Sequence, residues 1–322
     1  MLIFDFSTMY QAVAFYKYVH IEEADVYAVR HLKYCKRLGI TGRIIVADEG
    51  LNGQFSGTIE QCQKYIADLI ADPRFAETDF KIDPCDAPAF KKMHVRYKPE
   101  IVHSGLRDPN EIDPSKETGK HLSAEAFKKL KKEDNVVVLD VRSNYEHSVG
   151  KFKGAMTLDI ENFRDFPAKI SELEDLKDKT IITYCTGGIK CEKASALLLK
   201  RGFKDVYQLD GGILKYGKEG GGEDFEGKCY VFDGRITVDV NSVNPVIITK
   251  CIHCGETSAR YVNCANVLCN DQIILCEQCG WEWEGTCSSA CKEAHASKRA
   301  YDGTGYYAKP FAQGRGEKEL TA

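Results

Sequence analysis

Eight cysteines fall between residues 251 and 291 in four close pairs: Cys251 and Cys254, Cys264 and Cys269, Cys276 and Cys279, Cys287 and Cys291. This pattern restricts the fold more tightly than anything else in the chain. A C-x2-C turn sets two thiolates on one side of a metal ion, and four such pairs supply two tetrahedral sulfur sites. Zinc is the cofactor these spacings favour. Because sulfur fills every ligand position, the expected metal is structural rather than catalytic. Spacing alone leaves the pairing open: the first pair joins the third and the second the fourth, or neighbouring pairs join. His253 and His295 read as surface residues, and Trp281 and Trp283 as packing for the module. Disulfides would require export, and the opening Met1-Leu2-Ile3-Phe4-Asp5 has no basic segment, so a cytoplasmic protein is expected.

At roughly 100–200 residues per domain, a chain of this length holds two or three domains. The first, residues 1–104, reads strand, helix, strand, strand, helix, strand. Strands are expected at 12–20, 42–47, 54–56 and 94–102, and helices at 25–38 and from Thr58 to the Asp72-Pro73 break. Asp48 to Gly53 reads as a tight turn, and Thr58 with Gln61 as a capping box. The order βαββαβ is that of a ferredoxin-like or acylphosphatase-like domain. Residues 104–120 read as a linker. In residues 120–220 apolar strands at 136–141, 180–184 and 206–209 alternate with helices after Ser123, near 167–176 and near 191–201. Alternation of this kind predicts a parallel sheet covered on both faces. The glycines from Gly217 to Gly227 read as a boundary, Cys229–Val240 as strand-like, and residues 226–322 as the Cys-rich module and tail. The whole is an α/β protein.

Cys185 follows the apolar strand T-I-I-T-Y and precedes Thr186, Gly187, Gly188, Ile189 and Lys190, with a helix expected from about Cys191. A strand–loop–helix turn aims loop amides and the positive helix end at that sulfur, which lowers its pKa. Gly187 and Gly188 let the backbone curl around it. Two stretches flank the loop, L-D-V-R-S-N-Y-E-H-S-V-G-K-F-K-G-A at 139–155 and L-D-G-G-I-L-K-Y at 209–216. Together with Y-C-T-G-G-I-K-C-E they resemble the two signatures and active loop of a rhodanese domain. The resemblance implies that Cys185 is the nucleophile or a persulfide carrier. Asp140 and Arg142 match the first signature and read as a pair that fixes neighbouring loops. Rhodanese-like phosphatases carry H-C-x5-R, whereas Tyr184 and Cys191 stand at those two positions, so ester hydrolysis is disfavoured. Lys190 keeps a positive charge beside the thiolate without a planar fork, and could pair an anion. Cys191 reads equally as a resolving thiol or a plain helix residue.

Asp+Glu number 48 and Lys+Arg 44, a net charge of −4, so nucleic-acid contact must come from local patches. One candidate is Lys91, Lys92, His94, Arg96 and Lys98, the last three on one face of a strand, beside Tyr97. A face of this kind follows a phosphate backbone or simply protects an edge strand. Lys128, Lys129, Lys131 and Lys132 read as the wet side of a helix, and Lys298-Arg299 as solubilising. No run approaches the roughly 18 apolar residues of a membrane helix, and neither membrane nor DNA is an expected partner.

The full order of motifs resembles one family. I-I-V-A-D-E-G-L-N-G-Q-F-S-G is followed by C-T-G-G-I-K-C-E-K-A-S, then Y-V-F-D-G-R, then the four cysteine pairs. Over roughly residues 10–292 the chain is similar to the oxygen-dependent tRNA uridine hydroxylases. The resemblance implies 5-hydroxylation of the wobble uridine, molecular oxygen as co-substrate, the tRNA anticodon arm as partner and Cys185 as the active cysteine. It leaves the redox partner unnamed. Lys190 departs from the Arg expected in that family's loop. The alternative reading is a sulfurtransferase with a persulfide on Cys185, and a third is an RNA-binding module with an inactive rhodanese fold.

Overall fold

The computed structural model describes residues 10–303. They form two compact units, one running to Phe225 and including Cys229–Pro245, the other comprising Glu226–Lys228 and the chain from Val246 onward. Among the described residues no helix is long and apolar enough to cross a membrane.

The first unit begins with β1 (Tyr10–Tyr18), α1 (Ala24–Leu38), β2 (Thr41–Ala47), β3 (Gly50–Thr58), α2 (Ile59–Ile70), β4 (Phe80–Cys85) and β5 (Met93–Tyr97). Gly39 ends α1 in the left-handed conformation at φ 84°, the expected stop. Thr58 and Gln61 form the capping box of α2. The sheet order is β4-β1-β3-β2-β5. Its core packs Val13, Phe15 and Phe55 of the sheet against Tyr65 of α2.

Two expectations are corrected here. Residues 48–53 are not one turn: β3 starts at Gly50 and pairs with β2 through the hairpin Asp48-Glu49. A Cβ at Gly53 would lie 2.3 Å from the Phe15 ring, so this glycine makes room for an aromatic instead of turning the chain. The last strand of the βαββαβ set is β4, and the strand expected at 94–102 is the shorter β5, added parallel to β2. β4 escapes a pattern reading because Lys81 is its buried residue and Ile82 is exposed. Lys81 is held by Asp79 at 3.0 Å and lies 4.9 Å from the Tyr16 ring centroid.

After residues 104–120 come β6 (Lys120–Leu122), α3 (Ala124–Leu130), β7 (Val136–Asp140), α4 (Asn144–His147), β8 (Gly150–Phe152), β9 (Met156–Thr157), α5 (Phe166–Lys169), β10 (Thr180–Tyr184), α6 (Ile189–Lys200), β11 (Asp205–Leu209) and α7 (Gly212–Gly220). The central sheet, β6-β11-β10-β7-β9, is parallel throughout. Ile181 packs with Leu139, Leu197 and Leu198 on one face, and Ile182 with Phe127, Phe152 and Tyr216 on the other. The linker is not free. Ile112 is buried, and the Gly119 N–H donates to Ser195 Oγ at 2.8 Å. The helix expected at 167–176 is α5 followed by a 3-10 stretch, and Gly217 and Gly220 lie inside α7. Cys229–Val240 holds only two short strands, Cys229–Tyr230 and Thr237–Val238. Lys131 is nearly buried against Asp224 at 2.7 Å, and Lys128 bonds the Gly220 carbonyl, so α3 is less wet than its lysines suggest.

Lys193 of α6 ties the two sheets of this unit together. It is 1% exposed and reaches Glu49 at 2.8 Å and Glu100 at 2.7 Å, with the Val102 carbonyl at 3.0 Å. Lys193→Met would strand two carboxylates, one of them buried, and is expected to cost about 3–5 kcal/mol. Urea unfolding checks this, and adding Glu100→Gln should recover part of the loss.

The second unit has little regular structure. A strand at Tyr261–Asn263 pairs antiparallel with one at Gln272–Ile274, and short helices span Glu277–Glu282 and Ser289–Glu293. Among the described residues its buried apolar cluster comprises Cys251, Val262, Ala265, Leu275 and Cys279. Lys298 is paired with Glu284 rather than free.

Candidate active site

β10 lies in the middle of the parallel sheet, and Cys185 is the first residue beyond its carboxyl end, where α/β sheets place their ligands. Gly188, at φ 97°, is the N-cap of α6, so the helix starts two residues earlier than expected. The Gly188 N–H donates to Cys185 Sγ at 3.1 Å. The loop is held from behind. Ile213 and Leu214 at the start of α7 donate their N–H groups to the carbonyls of Cys185 and Thr186, at 3.0 and 3.1 Å. A Cβ at Gly212 would lie 2.5 Å from the Cys185 oxygen, which explains the second glycine of L-D-G-G-I. With its carbonyls turned toward α7, the loop presents amides to the sulfur. Thr186 Oγ1 donates to the Tyr230 carbonyl at 3.2 Å. Gly187 has open space where a Cβ would sit and does not take a positive φ, so only Gly188 is conformationally required.

Burial alone would raise the Cys185 pKa. Hydrogen bonds from the Cys191 thiol and from the Cys191 and Lys190 amides, with the Lys190 charge, outweigh it and bring it down to about 6. Burial and the neighbouring Cys185 push Cys191 well up, so Cys191 is the protonated donor. Lys190 is bonded to Glu146 Oε2, so its charge is engaged and not left free for an anion. Arg142 and Asp140 are fully buried. The guanidinium takes both carboxylate oxygens, at 2.9 and 2.7 Å, and the Gly150 carbonyl at 2.6 Å. This arrangement braces the loops after β7.

Cys185 is 1% exposed, yet it lines a cavity of about 900 Å³ that also receives Tyr16, Ile45, Asn52, Ile189 and Phe232. That volume lies within the usual range of about 300–1,000 Å³ for small-molecule sites. Arg43, Lys98 and Arg107 line the same cavity and are exposed. Of the basic run read in the sequence, only Lys98 reaches the cavity. His94 and Arg96 lie on β5 beside Arg43 and Ile45 of β2, and Lys91 and Lys92 precede the strand. Burial, then Arg96, Arg43, Lys92 and Lys36, lowers the His94 pKa, a sign of concentrated positive charge.

Sequence reasoning missed Arg43, Arg107, Tyr16, Glu146 and Glu192. Arg43 breaks an otherwise apolar strand, which was a signal, but its partner in the patch depends on register. Glu192, buried one residue after Cys191, accepts from Tyr16 at 3.0 Å, Thr118 at 2.9 Å and Gln208 at 2.9 Å, with His121 Nε2 at 3.0 Å. Burial raises its pKa, and His121, Gln208 and Thr118 together hold it below the ordinary value.

In the second unit the eight cysteines form two sets, Cys251, Cys254, Cys276 and Cys279, and Cys264, Cys269, Cys287 and Cys291. This is the interleaved pairing. The sulfurs of each set lie within 4.8 Å of one another, with Cys254 and Cys276 at 3.6 Å and Cys269 and Cys287 at 3.7 Å. A tetrahedral site with Zn–S bonds of about 2.3 Å has edges of about 3.8 Å, so both sets fit a metal ion. His253 belongs to neither. It stacks on Trp283 at 3.8 Å, while Trp281 stays half exposed against Tyr301.

Residues 10–101 match the UPF0176 acylphosphatase like domain, residues 123–219 the Rhodanese-like domain and residues 226–292 the Rhodanase C-terminal family. A tRNA uridine(34) hydroxylase of Cytophaga hutchinsonii is 59% identical over 93% of this chain and 95% of its own. That of Bacillus velezensis is 48% identical over 88% of each chain, and that of Streptococcus pyogenes serotype M6 45% identical over 95% of each. With identity of this extent over nearly the whole of each chain, the protein belongs to the tRNA uridine(34) hydroxylase family.

Proposed function

We propose that this protein is an enzyme that hydroxylates C5 of uridine 34 in tRNA, with molecular oxygen as the oxygen source and Cys185 as the reacting sulfur. The observation that carries the reading is a sulfur with a pKa of about 6 opening onto a cavity large enough for a nucleobase. Cys185 Sγ adds to C6 of the uracil, forming the S–C6 bond and moving the electron pair toward C5 as an enolate. C5 then bonds an oxygen at the peroxide level, with the second oxygen leaving as water. Loss of the C5 proton expels the thiolate and restores the double bond. Reducing oxygen to that level takes two electrons from an external donor. The base must be turned out of its stack to reach the sulfur, which is easiest in an anticodon loop.

The partner is the anticodon arm, and the exposed Arg43, Lys98 and Arg107 are the residues best placed for its phosphates. None of the three has an ion-pair partner among the described residues. Replacing Arg43 and Arg107 by Ala is expected to weaken tRNA binding and to reduce the slope of log affinity against log salt by about 0.7 per lost phosphate contact. Filter binding across a salt series checks this. We assign zinc to both four-cysteine sets in a structural role, and a cytoplasmic location follows from the substrate. A persulfide role for Cys185 is the second reading, favoured by the rhodanese loop itself. Release of thiocyanate from thiosulfate and cyanide at a useful rate would support it. Nucleoside mass spectrometry of tRNA from a deletion strain tests the first: unchanged 5-hydroxyuridine derivatives would reject it.

A further inference from the structure

Glu146 is fully buried and has an uneven set of partners. Its Oε2 takes the Lys190 ammonium and the Ser143 N–H, the latter at 3.1 Å. Its Oε1 is buried with no hydrogen-bond partner. An ammonium is a compact donor that serves one oxygen here, where a planar fork could serve both. Lys190 is largely covered and also lies 5.3 Å from the Phe232 ring centroid. One cation therefore serves both a buried carboxylate and the Cys185 thiolate, whose pKa its charge lowers. Arg142 does not compete for that carboxylate, because it is engaged with Asp140 and touches only the Glu146 backbone carbonyl, at 3.4 Å.

We propose that Glu146 is a positioning residue that draws the Lys190 charge away from Cys185 and so limits how far that charge stabilises the thiolate. The consequence is chemical. A thiol that is already mostly ionised near neutral pH gains little thiolate from a further drop in pKa, but loses nucleophilicity with a Brønsted slope of about 0.4–0.5. Restraining Lys190 keeps the sulfur ionised and still reactive. Titratable groups around these residues include the phenols of Tyr16 and Tyr18 from β1, Cys191 and Glu192 on α6, the Asp140–Arg142 pair, His147 on α4, Cys229, and the exposed Arg43, Lys98 and Arg107 that line the same cavity. Burial raises the Tyr16, Tyr18, Cys191 and Cys229 pKa values, and Glu192 is matched by His121. Lys190 is thus the cation that faces the sulfur from its own helix.

The proposal rests on Cys185 being the reacting sulfur. Its test reads the thiolate directly, so it can fail while the hydroxylase reading stands. The rate of iodoacetamide alkylation is followed against pH in the full chain, and the Cys185 peptide is quantified by mass spectrometry. Wild type should react with a midpoint near pH 6, protonation slowing it below that. Glu146→Gln should shift the midpoint down by about one unit. It should also lower the plateau rate about threefold, as the Brønsted slope requires. The double variant Glu146→Gln with Lys190→Gln should shift the midpoint up past wild type. A Glu146→Gln midpoint equal to or above wild type overturns the proposal. If that variant does not fold, Lys190→Arg carries the test. A fork that takes both Glu146 oxygens should raise the midpoint, and an unchanged or lower midpoint overturns the proposal.

Discussion

Cys185→Ala is expected to leave tRNA without detectable 5-hydroxyuridine derivatives when it replaces the wild-type chain in a deletion strain. The loss should be complete because nothing nearby can substitute for this sulfur. Cys191, the nearest thiol, is fully buried and its pKa is pushed well up, so it supplies no thiolate near neutral pH. The fold should survive, since the substitution removes one sulfur from a wall of the cavity and leaves the Gly212 packing untouched. Circular dichroism and a thermal midpoint near wild type would establish that. Cys191→Ser tests the donor separately. It keeps a hydroxyl in place of the thiol and should reduce, not abolish, the modification. Full rescue by Cys185→Ala would remove the nucleophile from the account.

Removing metal is expected to unfold the second unit and leave the first folded. Among the described residues the second unit's buried apolar cluster is five residues with a few half-buried ones packed on it, and Cys251 and Cys279 of the five sit in one of the two metal sets. A core that small cannot offset the chain entropy of ordering the module. Apparent binding energies of structural zinc in small domains are about 10–16 kcal/mol at pH 7, so metal binding supplies most of the free energy that folds this module. Elemental analysis should find two zinc ions per chain. After chelation, limited proteolysis should cut within residues 246–303 and spare Tyr10–Phe225. The interleaved sets make a sharper expectation. Cys251→Ala with Cys276→Ala removes ligands of one ion and should retain the other, whereas Cys251→Ala with Cys264→Ala should lose both. The reverse result would point to neighbouring pairs.

Legibility differed by the kind of information each feature needs. The loop at Cys185 and the eight cysteines were readable because local spacing carries their chemistry. The capping box of α2 and the Gly39 stop of α1 were readable for the same reason. β4 was not, because Lys81, paired with the nearby Asp79, is buried against the Tyr16 ring brought in by β1, which inverts the alternation. Arg43 joined the basic patch only through its register with His94. The choice between interleaved and sequential cysteine sets, and the contacts of Glu146 and Glu192, depend on segments far apart in the chain. Nothing local marks Lys193, because its two carboxylates come from the β2–β3 hairpin of the first sheet and from the segment after β5.

The most direct measurement isolates the enzyme from cells grown in air with 5-fluorouracil, so that its tRNA carries 5-fluorouridine and the cell supplies the electron donor. Once oxygen has bonded to C5, that carbon has no proton to lose; it sheds fluoride as its hydroxyl becomes a ketone, and the sulfur stays on C6. A denaturation-resistant adduct at nucleotide 34, carried by the Cys185 peptide and missing in Cys185→Ala, is the predicted result. An adduct on another residue, or none while 5-fluorouridine occupies position 34 and binding is intact, would contradict the account.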